Sequence, residues 1–421
     1  MNFQGLTGLY EVCMDIVVSH IRNQKDKVVD LQQKLVSLVA LGPDNGGRGE
    51  KSKADFLLTR LAESGFDEII EVNAPDERAD GGYRPNIIAR NFGRNKNKTL
   101  WIISHMDVVP MGDAGLWESN PFELSIDGDL IYGRGVEDNH QGMVSSIIAA
   151  EAFRELDIQP EINFGLILVS DEETGNRFGL PYVLEHEPDV FSPDDLYLVP
   201  DFGTSDSKML EVAEKSMLWL KISVTGRQCH ASKPDQGINT LVACSDFIMR
   251  TSRLKDYFSD ESELFNPPGS TFTPTKKEAN VPNINTIPGH DVFYLDCRVL
   301  PNYDLEDVVE QVQKTGREIE KDHQVKVSVE TVLREQAAPF TDPSCEIVTS
   351  LSRAVREVCN VDPVPQGIGG GTVAAFLRHR SCNAVVWSTL FGTAHQPNEC
   401  SSITNTLNDA AVMALLASAR Q

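Results

Sequence analysis

Leu166-Ile167-Leu168-Val169-Ser170-Asp171-Glu172-Glu173-Thr174-Gly175 is an apolar run that stops on three consecutive carboxylates. Adjacent acids repel, so a fold that gathers them at a strand end sets something positive there, most simply a metal ion or an extra proton. The alternative is a solvated acidic turn after a buried strand. Four other stretches bear on that choice. His105-Met106-Asp107 follows Leu100-Trp101-Ile102-Ile103-Ser104; residues i and i+2 of an extended chain share a face, so Asp107 is placed to lie behind the His105 imidazole while the other nitrogen meets a metal. Gly133-Arg134-Gly135-Val136-Glu137-Asp138 leads into a helix, where Asp138 is either an N-cap or a ligand. Asp201 follows Leu196-Tyr197-Leu198-Val199-Pro200, and His395 lies just beyond the apolar strand Ala384 to Trp387.

Polar groups after apolar runs need a sheet that brings strand ends together. Val28, Leu31, Leu35 and Leu38, and then Phe56, Leu57, Leu61 and Ala62, recur at helical spacing. Continuous apolar runs separated by helices predict an α/β fold with a mostly parallel sheet covered by helices, whose strand C-terminal ends collect ligands. From about Lys215 the texture changes to period-two alternation at Leu218 to Val224, Phe293 to Val299 and Val325 to Val329, with helices over Asn239 to Lys255 and Leu305 to Ile319. With Asn283 to Ile287 as a further strand, the order β-α-β-β-α-β describes an inserted ferredoxin-like α+β domain. The expected division is residues 1–214 and 335–421 for the large domain and 215–334 for the insert.

The 421 residues carry a formal charge of -24, which argues against nucleic acid or an anionic membrane as partner. Met1-Asn2-Phe3-Gln4-Gly5 lacks the pattern of a signal peptide, and no apolar run reaches the ~18 residues of a membrane span. The eight cysteines are scattered without metal-knuckle spacing and read as free thiols in a reducing cytoplasm.

The ordered series resembles a known family. His-x-Asp after a strand, Gly-Arg-Gly with an acid three residues on, a Glu-Glu pair, a further Asp, and Ala394-His395-Gln396-Pro397-Asn398-Glu399 are similar to the co-catalytic di-zinc amidohydrolases and carboxypeptidases. Succinyl-diaminopimelate desuccinylase, acetylornithine deacetylase, aminoacylase, tripeptidase and glutamate carboxypeptidase belong to that family. The likeness runs from His105 to Glu399 and includes Gly369-Gly370-Gly371-Thr372, Gly226 to Ser232 and Asp296 to Pro301. It implies that His105 and Asp201 hold one zinc, Glu173 and His395 the other, and that Asp138 bridges them, with cobalt or manganese as substitutes. It further implies Glu172 as general base, Asp107 as the orienting carboxylate, and His230 as an oxyanion donor from the second subunit of a homodimer paired through the inserted lid domain. Arg298, Gly370, Gly371, Thr372 and, from the insert, Asn285 would contact substrate. Arg298 is otherwise an outward-facing strand residue in an ion pair. The Asp138-Asn139 peptide is expected to be cis.

Two departures stand out. Asn139-His140-Gln141-Gly142 replaces the Asp-x-Lys-Gly of many relatives, and Val373 follows the glycine loop where many carry Asp. His140, His379 and Cys400 are read as bystanders. The expected activity is hydrolysis of an amide bond in a small N-acyl amino acid or short peptide with a free carboxylate. An exopeptidase acting on dipeptides is the rival within enzymes, and a non-catalytic metal-binding scaffold the rival outside them.

Overall fold

The computed structural model describes residues 14–418; the N-terminal pentapeptide and Cys13 lie outside the described residues. The apolar runs form an eight-stranded sheet in the order Glu68–Pro75, Tyr83–Asn91, Ile162–Val169, Asn95–His105, Leu196–Val199, Ala384–Val386, Met209–Glu214, Val364–Ile368. Ile162–Val169, Asn95–His105, Leu196–Val199 and Ala384–Val386 run parallel to their neighbours within this central group. Antiparallel partners flank them, so the predicted α/β sheet has a parallel centre and antiparallel margins.

Every residue of Ile162–Val169 is buried, because helices His140–Glu155 and Ile403–Ser418 pack against the sheet. The centre is tight enough to dictate composition. Gly165 is paired with Trp101, and a Cβ at Gly165 would lie 2.2 Å from the fully buried indole. Helix Lys51–Glu63 departs from its expected face: Lys53, Ala54, Leu57 and Leu61 are buried, whereas Phe56 is half-buried and Ala62 exposed. The stripe is rotated because the Lys53 ammonium enters the interior and donates to the Met106 carbonyl at 2.8 Å.

The chain divides into two compact units. One comprises the described residues of Met1–Val212, Thr341–Pro365 and Phe376–Gln421; the other comprises Ala213–Phe340 and Gln366–Ala375. The insert is therefore longer than expected and also takes the glycine loop. Hydrogen bonds explain that assignment: Arg298 Nη1 donates to Gly369 O at 2.7 Å, Thr372 N to Glu214 at 2.9 Å, and Lys215 N to Ile368 O at 3.0 Å.

The smaller unit holds a four-stranded antiparallel sheet ordered Thr271–Lys277, His290–Val299, Ser216–Thr225, Lys326–Glu335. Leu218, Leu220, Phe293 and Leu295 share a core with Phe247 of helix Thr240–Thr251 and Val308 of helix Leu305–His323. The β-α-β-β-α-β order stands, but its second strand is Thr271–Lys277, not Asn283 to Ile287. Only Thr286–Ile287 of the latter is extended, and it pairs with Cys229–His230. Thr271–Lys277 is an edge strand with Pro274 beside an irregular register, so it needs little apolar alternation and shows little.

Among the described residues no helix is long and apolar enough to cross a membrane, and the described cysteines are free.

Candidate metal centre

Three strand ends and two loops of the larger unit converge. His105 is the last residue of its strand, and its Nδ1 lies 3.0 Å from the Asp107 carbonyl oxygen. A carbonyl only accepts, so Nδ1 carries the hydrogen and Nε2 turns toward Asp138 Oδ1 at 2.8 Å and Asp201 Oδ1 at 3.2 Å. The other oxygen of Asp138 lies 3.0 Å from His395 Nε2, which is 3.1 Å from Glu173 Oε2. Two trios result, His105-Asp138-Asp201 and Asp138-Glu173-His395, each with one donor atom per residue within 4.8 Å of the others. Asp138 belongs to both. Imidazole nitrogens and carboxylate oxygens sharing one acid are a donor set that fits a pair of borderline divalent cations.

The surroundings fix this geometry. The Asp138-Asn139 peptide is cis, as the resemblance implies, and Asn139 Nδ2 donates to Pro200 O at 2.8 Å and to Asp201 Oδ1 at 2.5 Å. Gly135 adopts φ +88°, and a Cβ there would meet Val108 and His140 at 2.7 Å, so the turn before Asp138 requires glycine. Asp107 acts differently from expectation. Its carboxylate stands 3.5 Å from His105 Nδ1 and instead accepts the backbone N–H groups of Glu172 at 3.1 Å and Glu173 at 3.0 Å. Two adjacent amides at the head of the acidic turn out-compete the imidazole, so Asp107 orients His105 through its carbonyl and the two glutamates through its carboxylate.

Charge and burial work against each other at these groups. Burial raises the Glu172 carboxyl well above the usual range, and neighbouring Asp201 adds to the rise. Burial also raises Glu173. Burial disfavours a charged His105, yet Asp201, Asp107 and Asp138 together hold it protonated well above the ordinary imidazole value. Hydrogen bonds to Asp138 and Glu173 push His395 up to about 10. A metal ion binding at either imidazole would therefore have to displace a proton. Metal uptake at pH 7 is expected to release protons and to tighten as pH rises toward 10. Titration calorimetry in buffers of different ionisation enthalpy checks this: heats that do not depend on the buffer would contradict it.

Residues 101–419 match the peptidase family M20/M25/M40. The chain belongs to that family. It is 41% identical over 409 residues to an uncharacterized metallohydrolase of Methanococcus maripaludis, covering 92% of this chain and 97% of that one. It is 26% identical over 379 residues to a succinyl-diaminopimelate desuccinylase of Sulfurovum sp., covering 89% and 94%. The fold matches the dipeptidase Dug1p of Saccharomyces cerevisiae with a TM-score of 0.68 at 19% identity, over 96% of this chain and 98% of that one. As an M20/M25/M40 member the protein is a metal-dependent hydrolase.

The remaining residues singled out in the sequence fall in the smaller unit of this M20/M25/M40 chain. His230 and Asn285 are neighbours there: His230 is paired with Thr286, and Ala231 N donates to Asn285 O at 2.8 Å. His230 Nδ1 accepts from Ser232 N at 3.2 Å, which leaves Nε2 as a donor on an exposed side chain. Arg298 is half-buried, with Nε and Nη2 on Asp296 at 3.0 and 3.1 Å and Nη1 on Gly369 O. The ion pair weighed for it is thus present, while one hydrogen on each terminal nitrogen stays available to another acceptor. Gly369 and Gly370 border open space, whereas the Thr372 amide and hydroxyl both donate to Glu214.

Five buried ionisable side chains near the candidate metal centre, Lys53, Glu50, Arg84, Glu137 and Glu399, escaped the sequence reading. Lys53 Nζ sits 2.7 Å from His140 Nε2; burial pulls the Lys53 amine down to about 7 and holds His140 well below its ordinary value. His140 is thus no bystander in packing. Arg84 grips Glu50 and Asp171, and Glu137 and Glu399 cross between the loops of Asp138 and His395. The one available signal was a lysine on the same helical stripe as Leu57 and Leu61.

Proposed function

We propose that the protein hydrolyses the amide bond of a small N-acyl amino acid or short peptide bearing a free carboxylate, using two zinc ions for which cobalt or manganese can substitute. His105 and Asp201 would hold one ion, Glu173 and His395 the other, with Asp138 between them. The observation that carries this reading is Asp138, whose two oxygens face different imidazoles. Bound metal would supply Lewis acidity toward water and the scissile carbonyl. Glu172, fixed through its amide by Asp107, accepts a proton from the attacking water at its carboxylate and returns it to the leaving nitrogen. His230 donates from Nε2 to the developing oxyanion in the site of a second copy, the two copies pairing through their smaller units. A solution mass of one copy would remove that role.

Arg298, with Gly370 and Gly371 beside it, would form the carboxylate-binding side. The open terminal edge of the Arg298 guanidinium supports this. Thr372, whose amide and hydroxyl serve Glu214, would shape that loop, and Asn285, on the His230 rung at the other end of the smaller unit's sheet, would reach substrate together with His230 in the site of the second copy. Purified metal-loaded enzyme should be offered N-acetyl and N-succinyl amino acids beside dipeptides and their carboxyl-amidated analogues. Faster turnover of N-acyl substrates is expected, with amidation lowering kcat/KM about 10- to 100-fold, the worth of one charged hydrogen bond. Preference for dipeptides would favour the exopeptidase reading, and indifference to amidation would remove the carboxylate grip.

A further inference from the structure

Glu137 and Glu399 lie next to the proposed ligands without being among them. Glu137 precedes Asp138, yet its carboxylate crosses to the loop of His395. There it accepts from the N–H groups of Phe391, Gly392 at 3.0 Å and Thr393 at 2.5 Å, and from Thr393 Oγ1 at 2.6 Å. Glu399 follows His395 by four residues and crosses the other way. It accepts from Arg134 Nη1 at 2.7 Å and from the N–H groups of Gly135, Glu137 and Asp138, each at 3.0 Å. Both side chains are buried, at 1% and 0% exposure.

Each ligand-bearing segment thus binds the other's backbone through a carboxylate, across more than 250 residues of sequence. A carboxylate offers about four lone-pair sites, and each of these acids meets four donors, so both are saturated. Neither meets a ligand side chain, so their effect is on where the backbone carries Asp138 and His395. His395 itself adopts φ 63°, a conformation that a non-glycine residue keeps when its surroundings hold it.

We propose that Glu137 and Glu399 are positioning residues that form a reciprocal clasp and set the placement of His395 against Asp138, and hence uptake of the ion on the Glu173-His395 side. The inference rests on the two-metal reading above. Glu137→Gln keeps the shape but replaces one acceptor oxygen by an NH2 group facing N–H donors, which releases the His395 loop while His105, Asp138 and Asp201 keep their own supports. Loss of such an outer partner typically weakens metal binding about 10- to 100-fold.

The test is a cobalt titration of metal-free protein followed by visible absorption, with zinc equilibrium dialysis alongside. Wild type should take up two ions. Glu137→Gln should keep one at near wild-type affinity and bind the other 10- to 100-fold more weakly. Glu399→Gln, which frees the turn of the shared ligand, should weaken both. Should Glu137→Gln fail to fold, Thr393→Val removes a single donor from the clasp and should weaken the same ion selectively. Wild type with fewer than two ions would overturn the two-metal reading and this inference with it. Wild type with two ions, and folded Glu137→Gln or Thr393→Val with two at unchanged affinities or with both weakened alike, would overturn the clasp alone.

Discussion

Glu172→Gln is expected to bind metal as the wild type does while losing about two to four orders of magnitude in kcat, the usual worth of a positioned acid-base group. The glutamine keeps the backbone amide on Asp107, so the turn and its neighbour Glu173 stay in place. What disappears is a carboxylate able to take a proton and give it back. The same preparation separates this effect from ligand loss, because thorough chelation should abolish turnover of the wild type and added zinc or cobalt should restore it, whereas no metal rescues Glu172→Gln. A variant within tenfold of wild type would mean that another group moves the proton. Wild-type turnover that survives metal removal would overturn the metal-dependent mechanism altogether.

The residues that converge were legible because each stands just after an apolar run or a glycine turn, and strands of a parallel sheet deliver their C-terminal residues to one edge. His105 ends its strand and Asp201 follows the neighbouring parallel one, and the Glu172-Glu173 turn follows the strand on the other side of His105. What the pattern could not reveal were contacts with no local signature. Glu137 reads as one more charge beside Asp138, and only the folded chain shows its carboxylate reaching residues 391–393. Thr271–Lys277 went unread because an edge strand carrying four threonine and lysine side chains to solvent has little apolar rhythm, while Asn283 to Ile287 looked extended and is mostly exposed loop. The glycine loop was assigned by its neighbours in sequence, but its hydrogen bonds run to Arg298 and Glu214. Asp107 was read as the carboxylate behind the His105 imidazole, whereas its carbonyl oxygen stands there, because the amides of Glu172 and Glu173 draw the carboxylate away.

Arg84→Met is expected to destabilise the metal-free protein by about 3–5 kcal/mol at neutral pH, the loss typical when one member of a buried ion cluster is removed. Arg84 is completely buried; Nε donates to Glu50 Oε2 at 2.7 Å, Nη2 reaches the other Glu50 oxygen, and Nη1 donates to Asp171 Oδ1 at 3.2 Å. Burial already raises the Glu50 carboxyl, and the arginine is the principal force opposing that rise. Without it Glu50 is driven further toward the neutral form. A carboxyl whose folded pKa exceeds its unfolded one loses stability as pH rises above the unfolded value, so the deficit of Arg84→Met should shrink between pH 7 and pH 5. Chemical denaturation at the two pH values reads this directly, and an equal deficit at both would mean that lost packing, not an uncompensated carboxylate, is responsible. Arg84→Lys should recover only part of the loss, since one ammonium cannot serve both oxygens of Glu50 and also Asp171. The consequence extends to the metal centre: Asp171, at φ 64°, ties the acidic turn to Phe178 N at 3.0 Å and to Thr174 Oγ1. Releasing it loosens the segment that presents Glu172 and Glu173, so this buried arginine supports the turn that carries both glutamates.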